Sequence, residues 1–184
     1  KEMGNVCVAF KFFWPNEKPP VGWFKASGHI VFDVKMDFTR KARWVKDGHK
    51  TPDSVTPSFA GVVSRESIRI ALTYAALMDL PVIGADIRNA YLQAPSSEKH
   101  YIICGPEFGI ENEGCVGIIR RALYGGKVAG RDFWHHLRDW MGHLGFSSSR
   151  GDPDVWMRLS TRTSTGEAYY EYVVAGDFPD TPGL

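Results

Sequence analysis

The ten residues VIGADIRNAY, Val82–Tyr91, run from apolar and small side chains into a single carboxylate, Asp86, and then leave through a polar turn toward an aromatic residue. A short apolar run that follows a proline predicts a buried strand. A carboxylate at the end of such a strand either caps the next turn or faces a cleft in which chemistry takes place. Taken by themselves, these ten residues favour Asp86 as the cap of the turn that follows.

Length and composition are those of an ordinary globular protein. The chain has 184 residues, 43% of them hydrophobic and 23% charged, which is enough for one domain or two small lobes with a real core. No run of 18 apolar residues predicts a membrane span, and the charged N-terminus does not have the pattern of a signal peptide. We therefore expect an intracellular protein with no membrane partner. The cysteines, Cys7, Cys104 and Cys115, form no CxxC pair, which favours reduced thiols over a disulfide framework or a zinc site.

Charge is distributed unevenly along the chain. The segment 35–50 holds six basic residues against two aspartates, whereas no Lys or Arg follows Arg162. A basic segment of this kind is either a solvated surface or a phosphate-binding surface, and the two readings have about equal weight. The basic residues are Lys35, Arg40, Lys41, Arg43, Lys46 and Lys50.

The hydrophobic pattern predicts strands and helices without a regular alternation. The segment 29–50 reads as a two-stranded basic ribbon. Ser64 is a natural N-cap for a helix from about Arg65 to Asp79, and Gly145 is a natural C′ residue for a second helix. We also predict an irregular arm over residues 1–28, two strands within 100–126, and a closing hairpin made of 154–159 and 169–175. This pattern indicates an α+β fold, in which an antiparallel sheet is backed by two helices.

Four blocks of the sequence, in this order and spacing, resemble the reverse transcriptase of copia-type long-terminal-repeat retrotransposons, and the resemblance covers roughly His29 to Val174. The blocks are FDVKMDFTRKARWVKDGH (32–49), PSFAGVVSRESIRIALTYAALMDLPVIGADIRNAYLQAP (57–95), IIRRALYGGKVAGRDFWHHL (118–137) and LGFSSSRGDPDVWM (144–157). The resemblance implies the fingers and palm of a right-hand polymerase, truncated before the thumb. It assigns 29–63 and 95–125 mainly to the fingers, 64–94 and 126–175 mainly to the palm, and 176–184 to a divergent tail.

The resemblance also implies an activity and its partners. The family's enzyme is an RNA-directed DNA polymerase that extends a DNA primer on an RNA or DNA template, using deoxynucleoside triphosphates and two Mg²⁺ ions, with Mn²⁺ as an alternative. The domain belongs to a Gag-Pol polyprotein that also contains protease, integrase and RNase H. We therefore expect it in a cytoplasmic virus-like particle, with the nucleus as a further compartment.

Site residues follow from the same resemblance. Asp86 matches the first catalytic metal ligand, with the backbone carbonyl of Ile87 as a lesser one, and this match reverses the preference for a cap. Tyr91 matches the aromatic gate that excludes a 2′-hydroxyl, although without the family it would read as a core tyrosine. The remaining matches are Lys41 and Arg43 for the triphosphate, and Gly125, Lys127 and Arg131 for the template and the nascent base pair.

The sequence departs from the family near its end. The family carries two more metal carboxylates in an aromatic-x-Asp-Asp turn after a strand such as Tyr169–Val173, but no adjacent pair of aspartates occurs anywhere in this chain. Asp177 is a weak substitute after a slip of one residue, and Asp180 is weaker still because Pro179 precedes it. We therefore expect this chain to be inactive in synthesis. The alternatives are a non-catalytic nucleic-acid-binding remnant and an inert decayed fragment.

Overall fold

The computed structural model describes residues 2–14, 17–53 and 57–176. Asp177 and Asp180 lie outside the described residues, as does the predicted tail beyond Gly176. The chain forms two compact units whose segments interleave along the sequence. Unit 1 consists of Lys1–Phe59 and Ile87–His136, and unit 2 consists of Ala60–Asp86 and Leu137–Leu184.

Unit 1 contains a four-stranded sheet of mixed direction. Its strands are β1 (Phe10–Phe13), β2 (Phe24–Lys25), β5 (His100–Ile103) and β6 (Val116–Ile119), in the order β1-β6-β5-β2. The pairs β1–β6 and β5–β6 are antiparallel, and β2–β5 is parallel. The irregular arm predicted over 1–28 is therefore wrong for much of its length, because α1 (Glu2–Val6), β1 and β2 lie within it. Apolar residues of β1 find a partner strand that is more than 100 residues away in the sequence, which a local pattern does not reveal.

The predicted basic ribbon is confirmed as two antiparallel strands, β3 (Gly28–Val34) and β4 (Arg40–Lys46). Gly28 lies opposite Lys46 at one end, and Val34 lies opposite Arg40 at the other. The strands are joined by a turn in which the backbone N–H of Lys35 donates to the carbonyl of Thr39 at 3.0 Å. The ribbon is the element that carries the predicted triphosphate ligands.

Aromatic side chains form the centre of the unit 1 core. Phe10 of β1 packs edge-on against Trp44 of β4 and against Phe108, with ring centroids 5.5 and 5.2 Å apart. Trp44 is 1% exposed. Alternation of side chains along β4 thus buries one face of the ribbon and leaves the other for a different role.

Unit 2 contains a three-stranded antiparallel sheet and the helix α2 (Arg65–Leu77). The strands are β7 (Ser147–Ser148), β8 (Val155–Thr161) and β9 (Ala168–Val174), so the predicted closing hairpin is confirmed as β8–β9. Tyr74 of α2 packs edge-on against Tyr172 of β9, with centroids 5.1 Å apart. Together with the sheets of unit 1, this mixture of helices and strands confirms the α+β class.

Both helix boundaries predicted from capping residues are found in the structure. The Ser64 side chain accepts a hydrogen bond from the N–H of Ser67 at 3.1 Å and begins α2. The longer helix, α4 (Ala129–His143), ends in a Schellman motif, in which Gly145 has φ +81° and the N–H of Phe146 donates to the carbonyl of Met141 at 2.9 Å. Capping chemistry is local, and for this reason the sequence predicts it well.

The strand predicted at Val82–Asp86 is not formed. Residues 80–87 have no regular secondary structure, and the side chains of Val82 and Ile83 are 65% and 86% exposed. A strand needs a partner for its backbone hydrogen bonds, and no described strand pairs with this segment. Apolar content alone therefore did not decide the structure of this segment.

The alternative role of Asp86 as a helix cap is also wrong. The next helix is the short α3 (Ala90–Gln93), and its N-cap position is occupied by Asn89 in a left-handed conformation, without a side-chain capping bond. Asp86 lies three residues earlier and is exposed. Its carboxylate is therefore not used in local backbone structure.

Candidate functional site

The ribbon presents a face that we call the basic face, made of His29, Val31 and Asp33 on β3 and of Lys41, Arg43 and Val45 on β4. These six residues share a face because His29 pairs with Val45, Val31 with Arg43, and Asp33 with Lys41, while side chains alternate along each strand. The opposite face carries Ile30 and Trp44 into the core. The two predicted triphosphate ligands therefore lie on one surface, two residues apart on β4.

Arg43 is joined to Tyr91 through a tyrosine that the sequence analysis did not single out. The guanidinium carbon of Arg43 lies 5.5 Å from the centroid of the Tyr124 ring, and the Tyr124 ring packs edge-on against that of Tyr91 at 4.9 Å. Phe133 of α4 continues the row, 6.1 Å from Tyr91. Two residues to which the family resemblance gives nucleotide-binding roles thus belong to one packed row of side chains in unit 1.

Gly125 follows Tyr124 and has a packing role that the sequence did not indicate. Its φ is +79°, and a Cβ added there would collide with the carbonyl oxygen of Lys46 and lie 2.7 Å from a methyl carbon of Val45. The N–H of Lys46 donates to the carbonyl of Tyr124 at 2.7 Å. Glycine is therefore required for the backbone of this loop to approach β4, whereas the sequence analysis attributed it to the approach of nucleic acid.

Lys127 and Arg131, predicted to contact template phosphates, bond to other parts of unit 1. The Lys127 ammonium donates to the carbonyl of Thr51 and to Asp53, both at 2.8 Å, and this bond lowers the pKa of the Asp53 carboxyl. The Arg131 guanidinium is 14% exposed and donates to Asp132 at 3.1 Å and to the Ser97 hydroxyl at 3.0 Å. Their template-binding roles stay predictions.

A buried charged cluster on the side of the ribbon opposite the basic face was also not predicted from the sequence. The Lys46 ammonium is 2.5 Å from a carboxylate oxygen of Glu98 and 2.8 Å from Nδ1 of His100. Burial lowers the pKa of Lys46. Burial alone would raise the pKa of Glu98, but the interactions with His100 and Lys46 outweigh it and lower that pKa to about 2. A signal for this cluster was present in the sequence, since alternation puts Lys46 on the same face as the buried Trp44.

Asp86, the predicted metal ligand, is the last residue of the first segment of unit 2, and Ile87 opens the second segment of unit 1. Within the part of the chain that the structure describes, no group of three or more His, Cys, Asp or Glu side chains is placed to hold a metal ion. The described residues therefore do not provide a complete site for the ions that reverse transcriptases generally use. Asp177, the weak second candidate, lies outside the described residues.

The described residues also contain no helix that is both long and apolar enough to cross a bilayer.

Comparisons with known proteins agree with the blocks quoted above. A family model described as "Reverse transcriptase (RNA-dependent DNA polymerase)" matches residues 15–165. The Retrovirus-related Pol polyproteins from transposons RE1 and RE2 of Arabidopsis thaliana are 31% and 30% identical to this chain over 120 residues, 64% of its length. The Transposon Ty1-ER2 Gag-Pol polyprotein of Saccharomyces cerevisiae is 27% identical over 114 residues, 61% of the chain.

The matched regions cover 8% of each plant polyprotein and 6% of the yeast one, so this chain spans a small part of the length of those relatives. No solved structure matches the chain at a significant level. The family match extends over most of the chain and includes the ribbon, α2, the Tyr91 region and α4. The chain belongs to the reverse transcriptase (RNA-dependent DNA polymerase) family, as the reverse transcriptase domain of a copia-type retrotransposon Pol polyprotein.

Proposed function

We propose that this domain takes part in RNA-directed DNA synthesis by holding the triphosphate of the incoming deoxynucleotide on the basic face. The observation that carries the proposal is the row Arg43–Tyr124–Tyr91, in which a guanidinium and the predicted sugar gate are connected through one tyrosine ring. A guanidinium held against an aromatic ring loses little freedom when it binds phosphate. Its charge also opposes the negative charge that develops on the leaving pyrophosphate.

Tyr91 contributes sugar selection in this proposal. Its ring is half-buried and is supported from two sides by Tyr124 and Phe133. A ring held in this way cannot move aside for a 2′-hydroxyl, so the domain prefers deoxynucleotides to ribonucleotides. The same support is what a core tyrosine would need, and therefore the choice between the two roles rests on the family resemblance.

The longer protein supplies the rest of the reaction. The relatives are Pol and Gag-Pol polyproteins, and we propose that this domain likewise works within such a polyprotein, beside protease, integrase and RNase H, on an RNA template and a DNA primer, in a cytoplasmic virus-like particle. Asp86 is the residue that we propose as a ligand of the catalytic Mg²⁺. The described residues do not by themselves complete a metal site around it.

A second candidate function is nucleic-acid binding without synthesis. It is favoured by the absence of adjacent aspartates from the whole sequence and by the cationic side chains on the basic face. Such binding is independent of nucleotide sequence and falls steeply as salt is raised, since it depends on the release of counterions.

Titration of the chain with dTTP in the presence of Mg²⁺ tests the proposed function. Arg43→Gln should weaken binding about tenfold or more, because a charge-assisted contact to phosphate is lost. Arg40→Gln is the matched control, since Arg40 is exposed on the same strand but belongs to the opposite face, and it should leave the affinity within about twofold. Equal effects of both substitutions would contradict a specific triphosphate site.

Primer extension separates the two candidate functions. With a primer annealed to an RNA template, the 184-residue chain should bind the duplex but incorporate no nucleotide, because the second and third carboxylates of the family pattern are not present as an adjacent pair. Mg²⁺- or Mn²⁺-dependent incorporation that disappears in Asp86→Asn would overturn the expected inactivity and establish synthesis. Absence of duplex binding even at low salt would remove the second candidate.

A further inference from the structure

The basic face carries a histidine to which neither the resemblance nor the comparisons give a role. His29 lies opposite Val45 and therefore diagonally across the ribbon from Arg43, at a Cα separation of roughly 7–8 Å. Its side chain is 59% exposed. An exposed imidazole thus stands on the same surface as the guanidinium that we propose for phosphate binding.

A buried carboxylate fixes the orientation of the imidazole. Nδ1 of His29 is 2.8 Å from Oδ1 of Asp47, whose side chain is 6% exposed. The other carboxylate oxygen accepts hydrogen bonds from the Ser27 hydroxyl at 2.6 Å and from the Lys50 ammonium at 2.9 Å. Together with the bond to His29, these bonds hold the pKa of Asp47 well below its usual range. Asp47 is therefore ionised and can only accept, so Nδ1 carries the hydrogen of this contact.

The contact between His29 and Asp47 adds little to the pairing of β3 with β4. The N–H of Asp47 already donates to the carbonyl of Ser27 at 2.8 Å, and the side chains of Ser27 and Lys50 also hold the carboxylate. A polar contact with an exposed partner contributes little to stability. What the contact does determine is the direction of the ring, because a carboxylate on Nδ1 leaves Nε2 on the opposite, outer edge. A carboxylate orients many metal-binding histidines in the same way, through the ring N–H that does not face the metal.

We propose that His29 is a phosphate-binding residue of the basic face, and that in its imidazolium form Nε2–H donates to a phosphate oxygen of the ligand that Arg43 also contacts. The phosphate belongs either to the incoming nucleotide or to a nucleic-acid strand, since both present the same oxyanion. Asp47 acts through His29 and is a positioning residue. The inference rests on the proposed function.

Calorimetric titration of the 184-residue chain with two probes, inorganic tripolyphosphate and oligothymidylate, tests the inference. His29→Gln should weaken the binding of at least one probe about tenfold, because a neutral amide replaces a cationic donor that faces phosphate. His49→Gln is the matched control, since His49 is also exposed and lies close by in the chain but is outside the ribbon strands, and it should leave both affinities within about twofold. An effect on tripolyphosphate alone identifies the nucleotide as the source of the phosphate, and an effect on oligothymidylate alone identifies the strand.

The outcomes also separate this inference from the proposed function. If Arg43→Gln weakens tripolyphosphate binding and His29→Gln weakens neither probe, the inference is wrong and the proposed function stands. If Arg43→Gln has no effect either, both fail.

Imidazole resonances give a second test, and its first part uses the unmodified chain and does not depend on the folding of a variant. Addition of the bound probe should shift the ring signals of His29 and leave those of His49 in place, and Asp47→Asn should reduce the shift of His29 because the ring loses its orientation. Unchanged His29 signals at saturating tripolyphosphate and at saturating oligothymidylate would overturn the inference.

Discussion

Lys46 connects the ribbon with the sheet of unit 1. Its side chain reaches Glu98 and His100, while its backbone N–H bonds to Tyr124, the ring that supports Arg43 and Tyr91. Removing one partner from a buried ion pair leaves an uncompensated charge, which is more harmful than replacing both partners. The position of the candidate nucleotide-binding row thus depends on a buried charged cluster.

The depressed pKa of Glu98 predicts a pH dependence of stability. A carboxyl whose pKa falls from 4.5 to about 2 on folding stabilises the folded state above its ordinary pKa, and the contribution is lost as the pH drops toward 2. Between about pH 5 and pH 2, the free energy of unfolding of the wild type should therefore fall more than that of Glu98→Gln, by a difference on the order of 3 kcal/mol.

Urea denaturation at a series of pH values measures this difference. Glu113→Gln, at an exposed position of unit 1, is the control and should follow the wild type. Parallel curves for Glu98→Gln and the wild type would show that Glu98 does not carry the expected charge coupling.

Two glycines with the same backbone conformation allow the cost of backbone strain to be distinguished from the cost of a steric collision of the added Cβ. Gly125 and Gly114 have φ of +79° and +77°, but a Cβ at Gly114 would meet no atom within 4 Å, whereas one at Gly125 would meet the carbonyl of Lys46. Gly114→Ala should cost about 1–2 kcal/mol of stability from backbone strain alone. Gly125→Ala should cost about 1–3 kcal/mol more, because β4 or the loop must move. Thermal unfolding of both variants checks the difference, and equal losses would argue against close packing of the loop on β4.

At the scale of elements, α4 offers two glycines whose replacement by alanine should have opposite effects. Gly142 lies within the helix, and a Cβ there would meet no atom within 4 Å, so Gly142→Ala should stabilise the protein by about 0.5–1 kcal/mol. Gly145 ends the helix with φ +81°, so Gly145→Ala should destabilise it by about 1–2 kcal/mol. Chemical denaturation of the two variants against the wild type tests the pair. A gain in stability from both would mean that the helix does not end in the left-handed conformation.

At the scale of the whole molecule, each unit is made from two segments that are separated in the sequence. In unit 1, Phe10 and Trp44 come from the first segment and pack against Phe108 of the second. In unit 2, the backbone N–H of Ser64 and the hydroxyl of Ser67 both donate to Asp152, at 2.9 and 2.7 Å. The fragment 1–86 therefore contains the complete core of neither unit.

This interleaving predicts complementation between fragments. Fragments 1–86 and 87–184 should each lack a cooperative thermal transition, because each contains only one of the two segments of either unit. Their equimolar mixture should regain a transition, since the missing strands and helices are then supplied. Near-ultraviolet circular dichroism during heating provides the measurement, with the intact chain as the reference. Cooperative unfolding of fragment 1–86 by itself would contradict the division into these units.

Local chemistry explains which features could be predicted from the sequence. The Ser64 cap, the Gly145 terminus, the two strands of the ribbon and the β8–β9 hairpin depend on neighbours within a few residues or on a short turn, and all are confirmed. The fingers and palm boundaries, and the roles of Asp86, Tyr91, Lys41 and Arg43, come from the family resemblance and stay predictions. The resemblance itself is confirmed by the family match over residues 15–165.

The sequence by itself determined the family, the α+β class and the surface on which Lys41 and Arg43 lie together, because these follow from residue types at short spacing. The tertiary structure alone decided that β1 joins β6, that Val82–Asp86 forms no strand, and that Lys46 forms an ion pair with Glu98 and a hydrogen bond with His100. It also decided that Arg43 and Tyr91 meet through Tyr124. Each of these depends on which distant segment supplies a hydrogen-bond or packing partner, and that choice is made by the energy of the whole fold rather than by local preference.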